Sequence, residues 1–302
     1  MASKNKKTGF FSLYFKNFRL MLIGNLLFSV PMVISIALVY GIAFLLGQTD
    51  NMLIIGLVTI PVYPFFSGVT QITKDIVAEN GKNISAFEAY KKGLKNNFRL
   101  FLLYGVFIYM AFIVSYYSIL LYFKIALQNT IFFVPLFIAV LIALFLLFMS
   151  FSLPILTVTF RLELKYYLKN AALMAIGELP MNFYILVTTF VLISGCVTFS
   201  FITSNVILGI IVIILSFFLI LPTGISYCAV YRLYPKIEDL FELNKENDFP
   251  TSPVAVPTPT DDEGNPIMPE ISSDDKDGYV FVNGMMIKKS QANLTDYINE
   301  SD

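Results

Sequence analysis

KDIVAENGKNISAFEAYKKGLKNNFR, residues 74–99, is the only long polar interruption in the first 231 residues of the chain. Six basic residues (Lys74, Lys82, Lys91, Lys92, Lys95, Arg99) stand against three acids (Asp75, Glu79, Glu88). Uncharged runs flank it on both sides, 23 residues at 51–73 and 24 at 100–123. About 20 apolar residues of helix cross the hydrocarbon core of a bilayer, so the polar stretch reads as a loop between two spans. Its positive excess marks it as cytosolic, which orients everything else.

Working outward toward the N-terminus, residues 52–73 form the second span. It carries Pro61 and Pro64, which a membrane helix tolerates as a kink when neighbours satisfy the freed carbonyls. Residues 47–51 (GQTDN) are a turn, and residues 20–46 form the first span. Lys4, Lys6 and Lys7 precede that span as in a signal peptide. The apolar run at 20–49 is nevertheless 30 residues long with no small-residue cleavage site at a fitting distance, so a retained anchor is expected. Residues 10–19 (FFSLYFKNFR) space Phe10, Phe11, Tyr14, Phe15 and Phe18 as a short interfacial helix.

Toward the C-terminus, residues 100–123 form the third span, and Lys124 with polar residues 128–130 makes a short outer turn. Residues 125–160 are uncharged for 36 positions. As helix that is about 54 Å, too long for one crossing and too short for two. A single fourth span over 131–158 follows, with Pro135 in its first turn and Pro154 near its far end. Residues 161–177 (RLELKYYLKNAALMAIG) read as a second cytosolic connector in helical form. Residues 179–231 are uncharged for 53 positions and supply spans at 180–203 and 206–231, turning near Ser204-Asn205.

Composition agrees. Of 302 residues, 57% are hydrophobic and 14% charged, with mean hydropathy +0.72, against about 25% charged in soluble domains. The basic residues divide 20 to one between the two sides, Lys124 being the exception, so both termini are expected in the cytosol. The expected fold is an all-α integral membrane protein of six transmembrane helices, with short amphipathic cytosolic helices and a disordered acidic C-terminal tail. Its parts are an interfacial segment at 1–19, the membrane domain at 20–231 and the tail at 232–302.

The tail holds 15 of the 21 acids and six of the 21 bases, and is rich in Pro, Asp and Ser from residue 244. Near its end residues 279–288 (YVFVNGMMIK) place Asn283-Gly284 between apolar runs, a hairpin signal. The sequon Asn293-Leu294-Thr295 falls on the cytosolic side, where glycosylation is not expected.

Histidine is absent, which excludes Ser/His/Asp and Cys/His nucleophile pairs and His-ligated metals. Tryptophan is absent as well, and the two cysteines, Cys196 and Cys228, lie in apolar runs as buried thiols. No Asp, Glu, Lys or Arg falls within a span, which argues against a proton- or sodium-coupled pump. Asn25, Gln71 and Asn182 are the amides left from which an uncharged polar site would be built.

Two groups of candidate residues remain. Ser85-Ala86-Phe87-Glu88 is a capping-box pattern, after which Phe87, Tyr90, Leu94 and Phe98 recur on one face. An amphipathic helix over 86–97 is expected, with Phe87, Glu88, Tyr90, Lys91 and Leu94 as its partner-binding candidates. At the rim, Arg99, Arg161, Glu163, Lys165 and Glu178 are candidates for a polar cluster; the alternative is interfacial snorkelling. Glu88-Ala89 with Gly93 distantly resembles the coupling loop of bacterial ABC importer permeases, but the glycine comes one position early and the downstream Leu-Pro is missing. Three odd-numbered spans also begin with similar steps: Lys16-Asn17-Phe18-Arg19-Leu20, Asn96-Asn97-Phe98-Arg99-Leu100, and Lys169-Asn170 ahead of Pro180-Met181-Asn182-Phe183. The even spans carry Pro61, Pro154 and Pro222 in their cytosolic halves, so three related helical hairpins are one reading.

The segments 68–75 (GVTQITKD), 86–97 (AFEAYKKGLKNN), Lys169-Asn170-Ala171-Ala172 and Leu179-Pro180-Met181-Asn182 together resemble the YesL-like membrane proteins of Gram-positive bacteria, a family of unknown function. The resemblance covers roughly residues 10–240. The chain departs from it at Phe98, where those proteins often have tryptophan, and in its long acidic tail. It implies a multi-pass plasma-membrane protein, and, because members often accompany carbohydrate importers, an accessory role. The expected function is non-enzymatic: an accessory or scaffold component of a carbohydrate transport system, with no cofactor and no nucleic acid. Expected partners are the lipid bilayer and ABC-type transporter subunits or another cytosolic or membrane protein. The alternatives are a transporter or permease subunit itself and, more remotely, a membrane-bound lipid-modifying enzyme.

Overall fold

The computed structural model describes residues 9–82, 84–202, 205–248, 279–282 and 285–288. Lys4, Lys6, Lys7, Ser204, the 249–278 stretch of the tail, the Asn283-Gly284 turn and the Asn293 sequon lie outside the described residues. The chain divides into two units, Met1–Asn244 and Lys245–Asp302.

The described chain up to Asp248 is helical. Its elements are α1 (Phe10–Lys16), α2 (Phe18–Leu45), α3 (Met52–Gly56), α4 (Thr59–Glu79), α5 (Ala86–Ala126), α6 (Phe133–Thr159) after a 3₁₀ turn (Thr130–Phe132), α7 (Leu164–Gly177), α8 (Leu179–Ile202), α9 (Val206–Leu219) and α10 (Leu221–Asp248). Five of these helices, counting α3–α4 as one, are long and apolar enough to cross a membrane; a sixth is obtained when α9 and α10, bent by 45°, count as one span. In the second unit, β1 (Tyr279–Val282) and β2 (Met285–Lys288) pair antiparallel, with Tyr279 opposite Lys288 and Val282 opposite Met285.

Three features differ from the sequence-based expectation. The amphipathic segment 86–97 and the third span form one continuous helix of 41 residues, because neither Pro nor a helix-ending glycine lies between them. Asn97 keeps the junction helical by donating its side-chain amide to the Gly93 carbonyl, 3.1 Å away. The sixth span is broken at Ile220 (φ −131°, ψ −50°). Pro222 lacks the N–H that would bond one turn back, and its ring crowds the preceding turn. Finally, α10 runs on to Asp248, past residue 231 where the last span is expected to end and a few residues into the stretch from 244 expected to be disordered.

The closest helix pair is α4 against α5, and glycine permits it. A methyl group at Gly93 would sit 2.6 Å from the Ser67 carbonyl oxygen and 2.7 Å from Gln71 Cβ. Gly105 likewise approaches the Ile60 backbone, where an added methyl would lie 3.0 Å from the carbonyl oxygen, so the two backbones come close at both positions. This register staggers the bundle. The Tyr109 hydroxyl donates to the Leu53 carbonyl near the far end of the α2–α4 hairpin, at 2.9 Å. From there α5 continues for 17 residues, about 25 Å, past the α2–α4 hairpin and along α6. Phe137, Ile138, Leu141 and Ile142 face outward in that region, a surface that lipid hydrocarbon accepts.

The packed core gathers toward the end of the bundle that carries the basic residues. One cluster joins Phe101, Tyr104, Leu153, Leu156, Tyr167, Ile185 and Leu233, and a second joins Leu13, Met21, Phe28, Val69, Ile72, Tyr90 and Tyr227. Hydroxyl pairs tie helices across it: Thr73 with Ser226 at 2.8 Å and Tyr104 with Thr157 at 3.0 Å. The three Asn-Phe steps share one device. Asn17, Asn97 and Asn182 each donate a side-chain N–H to a carbonyl of the helical segment before the span, Leu13, Gly93 and Met174, at 2.9, 3.1 and 3.0 Å.

Candidate functional site at the basic end

The candidate face on α5 divides. Phe87 is 61% exposed, and Glu88, Lys91, Lys92 and Lys95 are exposed as well. Tyr90 turns inward to 7% exposure, donates its hydroxyl to the Leu27 carbonyl at 3.1 Å and covers Gly68. Leu94 is half-buried and packs with the same cluster. Helical spacing placed Phe87, Tyr90, Leu94 and Phe98 together, but the stripe that packs runs through Ala86, Ala89, Tyr90 and Gly93, where small side chains let α4 approach. Tyr90 and Leu94 line an apolar groove of about 570 Å³ with Leu27, Pro31 and Phe65. The capping box does not form: Ser85 makes no side-chain cap bond, and its carbonyl accepts from Ala89 N.

The rim residues do not form an ion-paired cluster. Arg99, Arg161, Glu163 and Lys165 are exposed and Glu178 is half-buried; among the described residues the one ion pair is Lys74 with Asp75, at 3.7 Å. Glu163 and Glu178 instead bracket α7 through their backbones. The Glu163 carbonyl accepts from Tyr166 and Tyr167, and the Glu178 carbonyl accepts from Asn182.

The three amides do not converge on a common cavity. Gln71 donates to the Asp75 carboxylate at 2.8 Å, and Asn182 donates to the Met174 carbonyl across the α7–α8 joint. Asn25, fully buried on α2, enters the break between α9 and α10. Its Nδ2 donates to the Leu219 carbonyl at 2.6 Å and its Oδ1 accepts from Thr223 N at 2.8 Å. Those two backbone groups would have bonded each other in an unbroken helix. A cavity of about 200 Å³ between α4, α6 and α10 is lined by Tyr63, Thr70, Pro154 and Ser226 among others, and by none of these amides.

Sequence reasoning did not single out Arg232. It is the first charge after the 53 uncharged residues at 179–231, and that position was the available signal. Its guanidinium carbon lies 4.0 Å from the centre of the Tyr184 ring and 5.7 Å from that of Tyr231. The Arg232 Nε is buried and has no hydrogen-bond partner. The side chain lines a groove of about 580 Å³ whose walls come from α1 (Leu13), the end of α4 (Val77, Asn80), α8 (Met181) and α10 (Lys236). Beside it, α1 seats Phe10 and Tyr14 on Tyr227, with ring centres 4.9 and 5.3 Å away. Phe11 and Phe15, 70% and 68% exposed, point outward from the same short helix, so its aromatic residues split between two faces. Burial, with smaller contributions from Cys228 and Cys196, pushes the Tyr14 phenol from 10.0 up to about 12.

Among the described residues no group of three or more Cys, Asp or Glu could hold a metal ion. No family model, curated protein or solved structure matches the chain.

Proposed function

We propose that this protein is a non-enzymatic, multi-pass membrane protein that acts as an accessory or scaffold subunit of a transport system, with carbohydrate import as the expected setting. The observation that carries the reading is how the membrane-length helices spend their polar groups. Asn25, Gln71 and Asn182 are each committed to a bond within the protein, and no ionised side chain lies inside the apolar runs. A polar translocation path needs such groups facing a shared, wettable space. The resemblance to the YesL-like family supports the same role. The positive-inside distribution supports cytosolic termini, and so a cytosolic position for the exposed Phe87, Glu88 and Lys91 on α5, the residues offered to a partner.

Co-purification of the full-length protein from native membranes tests this. Recovery of a transporter permease or ATPase subunit, weakened by Phe87→Ser, is expected; recovery of the protein alone overturns the proposal. A second reading, a permease subunit, has one observation in its favour. Discontinuous helices are used by transporters at their substrate sites, and α9–α10 is discontinuous, although Asn25 occupies the backbone groups freed at its break. Solute uptake by vesicles containing only this protein would favour that reading.

A further inference from the structure

We propose that the groove beside Arg232 is a phosphate-binding site, occupied by the phosphodiester of a membrane phospholipid. The Arg232 side chain lines the groove, and with its Nε buried without an acceptor the protein itself leaves this guanidinium incompletely compensated. The guanidinium carbon lies over the Tyr184 ring, 4.0 Å from its centre, and the planar fork of donors of an arginine suits two oxygens of one phosphate. Lys236, one helical turn further along α10, lines the same groove and adds a second positive charge.

The remaining lining defines the ligand. Glu238 and Asp239 also border the groove, with Glu238 accepting from the Tyr234 hydroxyl at 3.4 Å. Two acids beside two bases leave the lining without net charge, which disfavours a phosphate dianion more than a singly charged phosphodiester. Leu13, Val77 and Met181 supply an apolar wall for the glycerol and the first acyl carbons. Position selects the lipid source over a soluble one. Arg232 ends a 53-residue uncharged run, which puts it at the depth of the headgroups, and basic pockets between spans at that level bind them.

The full chain, purified in a non-ionic detergent, is titrated with dioleoylphosphatidylglycerol, dioleoylphosphatidylethanolamine, soluble glycerophosphoglycerol and inorganic phosphate. Bound adducts are counted by native mass spectrometry, and the thermal midpoint is followed by circular dichroism. The wild type is expected to retain one phospholipid per chain, with Arg232→Gln reducing retention at least tenfold. Arg161→Gln, which removes an exposed arginine from the same end, should leave it unchanged. Arg232→Lys, which keeps charge but not the fork, should fall between, and it carries the test if Arg232→Gln does not fold. Saturation by inorganic phosphate or glycerophosphoglycerol with no preference for lipid keeps the phosphate site and overturns the lipid source. Equal retention by wild type and Arg232 variants, or equal loss in Arg161→Gln, overturns the site.

Discussion

Replacing Asn25 by Leu removes the amide that bridges the broken sixth helix. The Leu219 carbonyl and the Thr223 N–H then both lose their partner in an apolar setting, while Pro222 keeps the two helical segments from closing on one another. An orphaned buried backbone group costs about 1–3 kcal/mol. Side-chain hydrogen bonds between membrane helices measure lower, about 0.6 kcal/mol on average and about 1.7 at most. Two bonds are lost together, so a destabilisation of about 2–3 kcal/mol is expected. Pro222→Ala supplies the control, because it restores an N–H and removes the ring that holds the break open. In that background the 219–223 bond can form directly, and adding Asn25→Leu should cost about 1 kcal/mol or less. The assay is unfolding of the full-length protein in mixed micelles titrated with SDS, followed by circular dichroism, since the chain has no tryptophan. A loss under about 0.5 kcal/mol for Asn25→Leu, or additivity of the two substitutions, would refute the bridging role.

Further outcomes follow from the same packing. Gly93→Ala drives a methyl group into the Ser67 backbone and should cost about 1–3 kcal/mol, whereas Gly195→Ala, with nothing within 4 Å, should be neutral or slightly stabilising; the same titration reads both. Tyr90→Phe deletes the bond to the Leu27 carbonyl and should cost about 0.5–1.5 kcal/mol, while Phe87→Ser should leave stability unchanged. The Tyr14 phenol is raised to about 12 in the folded chain, above its ordinary 10.0, so folding favours its protonated form. That contribution is whole below pH 10 and is lost as pH climbs through 12. An absorbance titration near 295 nm, compared with Tyr14→Phe, should show one phenol ionising about two units late.

The number and approximate limits of the apolar helices were legible because crossing length depends only on a run of residues without charge. Breaks were harder to read. Pro154 sits inside an unbroken α6, yet the segment carrying Pro222 breaks, and the backbone groups freed there are taken by Asn25, nearly 200 positions away in sequence. Tyr90 read as surface on α5 because helical spacing reports which residues share a face, not which face packs. The α4–α5 contact selected the stripe through Ala86, Ala89, Tyr90 and Gly93, which buries Tyr90 and leaves Phe87 outside. Arg232 was visible only as the end of a run; Tyr184, Met181 and Leu13 join it from other elements.

By itself the sequence determined that this is a helical protein with membrane-length apolar segments, a basic loop at 74–99 and an acidic C-terminal stretch, because composition and hydropathy act locally along the chain. Only the tertiary structure decided the stagger of the hairpins, the bridged break in the sixth segment and the groove at Arg232. Each of these depends on which distant backbones come close enough to touch.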